Sequence, residues 1–336
     1  MTLPPVNQDK DAIALDPNFC TTRLVTQEKP VITNDPLSKV QSVLFLPPNP
    51  ERKGEAGLRT QGYFKRSYNE ESGFSDNLPL PLVTIITVVF NGEKHLEQTI
   101  QSVINQTYDN VEYIVIDGGS TDGTVDIIRK YEEVIDYWVS EPDAGISDAM
   151  NKGISLATGI LINHLHAGDK FAADTTLSSV VSSYNSEGWR WCFGNQLLRS
   201  HTDDTIVGCF CPPKFSQKLL HIVNTIPHPT VFSERALMEE VNGFDNDYKC
   251  AMDYHLWLRF TQVSKPKQFD YATAEYLLGG RSSDVKLALK EEFRARSEVL
   301  EQSPIDRLIS LGVVLIRYLK RKLRITTFVK NFGSSV

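Results

Sequence analysis

The 336-residue sequence has no CxxC pair, and its five cysteines, Cys20, Cys192, Cys209, Cys211 and Cys250, are odd in number and scattered. Neither a disulfide framework nor a zinc knuckle is expected from that spacing, and a reducing, cytosolic setting fits best. Cys209-x-Cys211 reads most simply as two residues on one strand face. Positive charge is not in excess: 35 Lys and Arg face 42 Asp and Glu, for a net charge of -7. That argues against a protein that coats nucleic acid. No run reaches 18 consecutive apolar residues, so no membrane span is expected. The first residues, "MTLPPVNQDKDAIALDPNF", lack a basic stretch followed by an apolar one, so no secretory signal is expected. A phosphate-cradling GxxxxGK(S/T) loop is missing, as is a G-x-G-x-x-G fingerprint between strand and helix.

What is there is a globular composition, 41% apolar and 23% charged, in a chain long enough for one large domain or two ordinary ones. Residues 1–80 are rich in turn and linker residues ("LPPNPERKGEAG", "YNEESGFSDNLPLP") and read as an accessory N-terminal extension, partly ordered. The patch "KVQSVLFL" is expected either to form a strand or to dock on the main body. From Leu82 the texture changes. "LVTIITVVF" and "VEYIVI" are continuous β-branched runs, the mark of strands buried on both faces, and "IDYWVSE" and "ILINHLHAGD" extend the series. Helical periods separate them in "EKHLEQTIQSVINQTY", "GTVDIIRKYEEV" and "GISDAMNKGISLATG". This alternation predicts an α/β domain with a mainly parallel sheet flanked by helices, its ligand site beyond the carboxyl ends of the strands. After Phe171 the pattern loosens to a helix, a hairpin region ("WRWCFGNQLLRS" with "TIVGCFC"), two more helices, a strand and a long charged helix, "DVKLALKEEFRARSEVLEQ".

Acidic residues gather at the expected ligand edge. In "IVIDGGSTDGT", Asp117 ends a strand where a carboxylate suits hydrogen-bond donors, a base N–H or a ribose hydroxyl. Gly118 and Gly119 allow a flat ligand to approach. Asp122 reads as a local cap for the helix that follows, and the whole stretch is equally a well-capped strand-to-helix turn. In "LHAGDKF", Asp169 stands at a strand end where a carboxylate can hold Mg²⁺ or Mn²⁺, and His166, three residues earlier, is a candidate second ligand, although a lone histidine is more often merely packed. In "CAMDYHLWLRF", Asp253 leads an apolar helix and is either its cap or a general base of raised pKa.

The ordered set "TVVFNGEKHLEQTIQSVINQTY", "IVIDGGSTDGT", "SEPDAGISDAMNKGI", "HAGDKF", "HPTVF" and "GFDNDYKCAMDYHLWLR" resembles the family 2 glycosyltransferases, over residues 82–285. Within them it looks closest to the bacterial polysaccharide branch typified by colanic-acid transferases. The resemblance implies a GT-A fold, a Rossmann-like nucleotide-diphospho-sugar transferase domain, over residues 81–285, leaving 286–336 as a C-terminal helical segment. It implies inverting transfer from a nucleotide-diphosphate sugar to a hydroxyl of a saccharide or polyprenyl-linked acceptor, in cell-surface polysaccharide synthesis. By the same resemblance Asp117 matches the residue that reads the donor base, and Val89, Asn91 and Glu93 match the loop lining the nucleoside. Asp148, Asn151 and Lys152 fall where pyrophosphate and sugar are contacted. His228 and Arg281 match segments closing over the diphosphate or acceptor, Asp169 the last acid of the metal motif, and Asp253 the catalytic base. Two departures stand out: a single Asp169 where two or three acids are usual, and Met150 where an arginine is common.

The tail "LISLGVVLIRYL", followed by Lys320, Arg321, Lys322 and Arg324, suits a helix lying in a membrane interface, or one packed on the domain. A cytoplasmic protein, peripheral on the inner face of the cell membrane, is the expectation. Two other readings are a nucleotidyltransferase, for which "FNGEKHLEQ" is not the required glycine-rich basic loop, and a catalytically weak nucleotide-sugar-binding subunit.

Overall fold

In the computed structural model, which describes residues 12–36, 38–68, 79–279, 285–301, 308 and 311–313, strand β1 (Gly54–Ala56) precedes the expected alternation. That alternation is β2 (Val83–Val89), α1 (Leu96–Ile104), β3 (Val111–Asp117), α2 (Thr124–Lys130), β4 (Tyr137–Ser140), α3 (Ile146–Leu156) and β5 (Leu161–His164). There follow β6 (Lys170–Phe171), α4 (Thr176–Glu187), β7 (Trp191–Arg199), β8 (Ile206–Phe210), α5 (Gln217–Leu220) and β9 (Phe232–Glu234). Helix α6 (Arg235–Glu240), α7 (Met252–Val263), β10 (Lys267–Leu277) and α8 (Val285–Val299) complete the described elements.

The strands form one ten-stranded sheet in the order β1-β4-β3-β2-β5-β9-β7-β10-β6, with β8 paired to β7. Strands β4, β3, β2 and β5 run parallel, as the β-branched runs predict. Beyond β5 the sheet is mixed, because β9 pairs antiparallel with both β5 and β7 while β10 runs parallel to β7. The parallel character therefore belongs to the half built from crossover helices. The other half is joined partly by hairpins, which make antiparallel pairs.

Every residue of β2, β3, β4 and β5 is buried. Each buried Val or Ile contributes about 1.5–3 kcal/mol relative to exposure, so these runs set the core. Strand alternation sends Ile86 and Val88 to one face, against Met150 and Ile154 of α3. Val83, Ile85 and Val89 go to the other, against Leu96, Ile100 and Val103 of α1. Gly153 lets α3 lie close on β2, since a Cβ there would strike the Ile86 side chain.

Described residues of the N-terminal extension are tied to this domain. Strand β1 pairs antiparallel with β4 at the sheet edge. Arg59 is buried and donates to Glu112 at 2.6 Å, while that carboxylate also accepts from Thr84 Oγ1 at 2.6 Å and Thr158 N at 2.8 Å. The patch "KVQSVLFL" docks without forming a strand: Val43 N donates to Ser155 O at 2.8 Å, and Val40, Val43 and Leu46 pack on the core. At the other end α8 packs on α7, with Ala295 in the main core and buried Arg296 donating to Ile222 O at 3.0 Å.

Candidate active site

The β2–β3 register sets Val89 directly beside Asp117 at the carboxyl edge of the sheet. Asp117 is fully buried. Its Oδ2 accepts from Gly119 N at 3.2 Å, Ser120 N at 2.9 Å and Ser140 Oγ at 2.6 Å, and its Oδ1 accepts from Ser120 Oγ. Three of these bonds fall on Oδ2 and one on Oδ1. Asp117 thus orders the glycine-rich turn from within, and none of those bonds goes to the cleft. Lys53, from the extension, braces the same turn by donating to Gly119 O at 2.8 Å and Ser120 O at 2.9 Å.

The loop after β2 is laced to this turn. Asn91, in the left-handed region at φ 51°, donates its N–H to Ser120 Oγ at 2.7 Å and accepts from Thr121 N at 2.9 Å. The Glu93 carboxylate accepts from Gly123 N at 3.3 Å, and Asp122 bonds Thr124 locally, as expected of a cap. On α3, Asp148 accepts from Ala144 N at 3.1 Å. Lys152 donates to Glu141 at 2.9 Å and Pro142 O at 3.2 Å. Asn151 exchanges bonds with the Phe244 backbone at 2.8 and 2.9 Å, clamping α3 to the loop before α7. Met150, where the resemblance implies an arginine, lies fully buried in the core. Asp143, which the sequence did not single out, stands on the β4–α3 turn beside Gly118.

At the end of β5 three imidazoles meet. His166 stacks on His228 with centroids 4.8 Å apart, and His164 lies 6.0 Å from His228. Burial pushes the pKa of His164 down to about 3 and of His166 to about 4, and lowers that of His228 well below the usual value. All three are neutral at pH 7, each with one buried nitrogen lacking a hydrogen-bond partner. Asp169 is 6% exposed. Burial pushes its carboxyl up to about 7 against the Leu277 amide, which donates at 3.3 Å, and nearby Arg199. These donors do not by themselves make a metal site: a divalent ion takes several oxygen or nitrogen ligands. Among the described residues one set of three possible ligand atoms lies within 4.8 Å, and it is Asp245, His255 and Glu298.

Asp253 occupies the first turn of α7, whose N-cap is Ala251. The segment leading into α7 is held by α8: the Glu291 carboxylate accepts from Lys249 N at 3.0 Å, Cys250 N at 2.8 Å and Ala251 N at 2.9 Å. Asp253 accepts the first-turn amide of Tyr254 at 2.6 Å on Oδ1 and Asn224 Nδ2 at 3.2 Å on Oδ2. Burial pushes its pKa up to about 6, with Glu292 adding to the rise and the two hydrogen bonds opposing it. Asn224 and Glu291 carried no sequence signal, because each acts across 29 or 40 residues. The chain of ring contacts from His164 through Phe244 and His228 to Trp257 joins the β5 end to α7. Arg281 lies outside the described residues, as do Lys320, Arg321, Lys322 and Arg324.

Solved structures of like fold include Staphylococcus aureus TarS 1-349 in complex with UDP-GlcNAc, with a TM-score of 0.52 at 15% identity over 69% of this chain and 70% of that one. The mannosyltransferase PcManGT from Pyrobaculum calidifontis, in complex with GDP-Man and Mn²⁺, gives 0.50 at 18% identity over 70% of each chain. At such identities the likeness is one of fold, and that fold is GT-A. In sequence, chondroitin synthase of Pasteurella multocida is 25% identical over 210 residues, covering 62% of this chain and 22% of the synthase. An uncharacterized glycosyltransferase of Mycobacterium tuberculosis is 36% identical over 191 residues, covering 55% of this chain and 71% of that protein. The profile described as glycosyl transferase family 2 matches residues 84–208, the stretch from β2 to β8 that carries the acidic strand ends. With the fold, the ordered edge and these relatives in agreement, the chain belongs to glycosyltransferase family 2.

Proposed function

We propose that this glycosyltransferase moves a sugar, with inversion, from a nucleotide-diphosphate sugar to a hydroxyl of a saccharide or polyprenyl-linked acceptor, in cell-surface polysaccharide synthesis. The observation that carries the reading is Asp253: a carboxylate on the first turn of α7, held by Asn224 and Tyr254 N, whose burial raises its pKa to about 6. At pH 7 it is mostly ionised yet basic enough to take a proton, the compromise a general base needs. The acceptor O–H gives its proton to Asp253 as the oxygen bonds to the anomeric carbon, and the C–O bond to the nucleoside diphosphate breaks on the opposite face. Asn224 orients the carboxylate. For the leaving diphosphate the proposed cations are Lys152 and Arg281, with His228 closing over it. Asp169 and His166 would hold Mg²⁺ or Mn²⁺ together with oxygens of the donor diphosphate, and the ion would supply charge neutralisation for the leaving group. The same residues disfavour a purely binding role, since a dead subunit has no use for a poised base.

The donor-binding domain is taken as residues 81–285, flanked by the extension and the C-terminal segment. No helix among the described residues is long and apolar enough to cross a membrane. Contact with the inner membrane face is proposed for the tail on its sequence alone. The test is a panel of nucleotide sugars incubated with the protein, following release of nucleoside diphosphate and the anomeric configuration of the product. Release from one donor with an inverted product supports the reading; retention of configuration, or no release from any donor, overturns it.

A further inference from the structure

We infer that Asp245, His255 and Glu298 form a binding site for a divalent transition-metal ion, zinc by its donor set, which ties the loop before α7, α7 itself and α8 together outside the sugar-transfer site.

The three residues come from elements that meet only in the fold. Asp245 stands in the loop between α6 and α7, His255 near the start of α7 and Glu298 near the end of α8. One possible ligand atom from each lies within 4.8 Å of the others, and His255 Nδ1 is 4.0 Å from Asp245 Oδ2. A tetrahedral zinc site with ligands near 2.1 Å has edges of about 3.4 Å, so the atoms must draw in by roughly an ångström. The carboxylate side chains are 34% and 41% exposed, which leaves them free to turn inward and gives an ion its path from solvent.

The independent sign of a ligand is His255. It is 6% exposed, and its Nδ1 has no hydrogen-bond partner among the described residues. Asp245 is too far away to share a proton with it. Burial, with Arg259 adding to the effect, lowers the pKa of the ring to about 4. At pH 7 the imidazole is therefore neutral, its contact with Asp245 is no ion pair, and with the proton on Nε2 a lone pair on Nδ1 faces the carboxylates.

The surroundings hold these ligands in place. The Tyr248 ring stacks on the imidazole at 4.4 Å, and its hydroxyl donates to Glu298 Oε2 at 2.6 Å. Arg294 Nε donates to Glu298 Oε1 at 2.7 Å, and Asp247 N to Asp245 Oδ1 at 2.9 Å, while Asp245 Oδ2 is turned to His255. Such outer partners orient metal ligands, and each oxygen keeps a second lone pair. Two carboxylates balance a dication, whereas the guanidinium groups of Arg259 and Arg294 oppose it, so micromolar binding is expected. One imidazole with two carboxylates suits zinc or cobalt better than magnesium or calcium, which take oxygen ligands. His255 follows Asp253 by roughly 200° around the helix, which puts the ion on the face of α7 turned from Asp253. Glu298 lies about two turns beyond Glu291 on the same face of α8, so the ion adds a second tie between the two helices.

The experiment strips the full-length protein with EDTA and titrates it with Zn²⁺ against a chromophoric chelator, and with Co²⁺ by visible absorption. The wild type should bind one zinc ion, melt at a higher temperature with it, and keep it in a large excess of Mg²⁺. His255→Gln and Glu298→Gln should each weaken zinc binding by about 100-fold or more and abolish both the cobalt absorption and the zinc-induced rise in melting temperature; Tyr248→Phe should weaken it about tenfold. Glu298 is partly exposed, so Glu298→Gln carries the test if His255→Gln fails to fold. The exposed thiols of Cys209 and Cys211, with Sγ atoms 2.8 Å apart, are rival zinc ligands, as is Asp169. The Cys209→Ser/Cys211→Ser and Asp169→Asn variants should therefore bind zinc as the wild type does. Zinc affinity unchanged in Glu298→Gln, lost with the cysteines or with Asp169, or absent from the wild type would overturn the site.

Discussion

Glu291 Oε2 accepts the backbone N–H of Ala251 at 2.9 Å, so α8 ties down the segment that leads into α7. Two further amides, of Lys249 and Cys250, converge on the same carboxylate. A negative charge at the positive end of a helix is favourable in its own right. Glu291→Ala strands three amides and should lower stability by about 1–3 kcal/mol, read as a fall in melting temperature. An unchanged melting curve would mean that water replaces these bonds at no cost.

Asp253→Asn keeps the shape but cannot take a proton, and transfer should fall about 10²–10⁴-fold with donor affinity intact. In the wild type, kcat/KM should drop as pH falls through about 6, where the base becomes protonated. The stability sign runs the other way. A native pKa of about 6 against an ordinary 3.8 means that this group costs nothing at low pH and destabilises progressively from about pH 4 to 6. Asp253→Asn should therefore gain about 1–3 kcal/mol on the wild type at pH 7 and little at pH 4. Asn224 opposes the rise through its hydrogen bond, so Asn224→Ala should move the acid limb of kcat/KM above 6. A change in kcat with an unmoved limb would reduce Asn224 to packing.

Asp169 is held near pH 7 by burial and faces the Leu277 amide, so nucleotide-free protein should bind Mn²⁺ no better than its Asp169→Asn variant. Equilibrium dialysis after EDTA treatment measures this. Binding that Asp169→Asn abolishes, and that tightens about tenfold per pH unit below pH 7 as the proton is lost, would restore Asp169 as a ligand.

The basic tail is expected to hold the protein on anionic vesicles. In flotation the full-length chain should rise with anionic but not neutral vesicles, and a chain ending at Ser303 should stay at the bottom. Equal partitioning of the two would return the tail to a packing role.

Much of this was legible along the chain. Continuous β-branched runs at 83–89 and 111–117 can only be satisfied by burial on both faces, so the parallel half of the sheet and its acidic edge follow from local pattern. Asp253 at the head of an apolar helix was readable for the same reason. The short strands β1, β6 and β9 were not. Two or three residues show no period, and β1 arises in a turn-rich stretch because the open edge of β4 offers it a partner.

The role of each carboxylate lay beyond reach of pattern. Asp117 and Asp143 look alike in sequence, each beside small residues after a strand. Only the arrangement of Ser120, Ser140 and Gly118 around them decides that one braces the turn from within while the other stands over Gly118. Likewise only the return of α8 onto α7 brings Glu291 to the amides of Lys249, Cys250 and Ala251. Local periodicity and side-chain size are properties of consecutive residues, and they determine strands, helices and the edge where a ligand belongs. Hydrogen-bond saturation and desolvation depend on what the fold brings within about 3 Å of a given oxygen, and those contacts come from residues dozens of positions away.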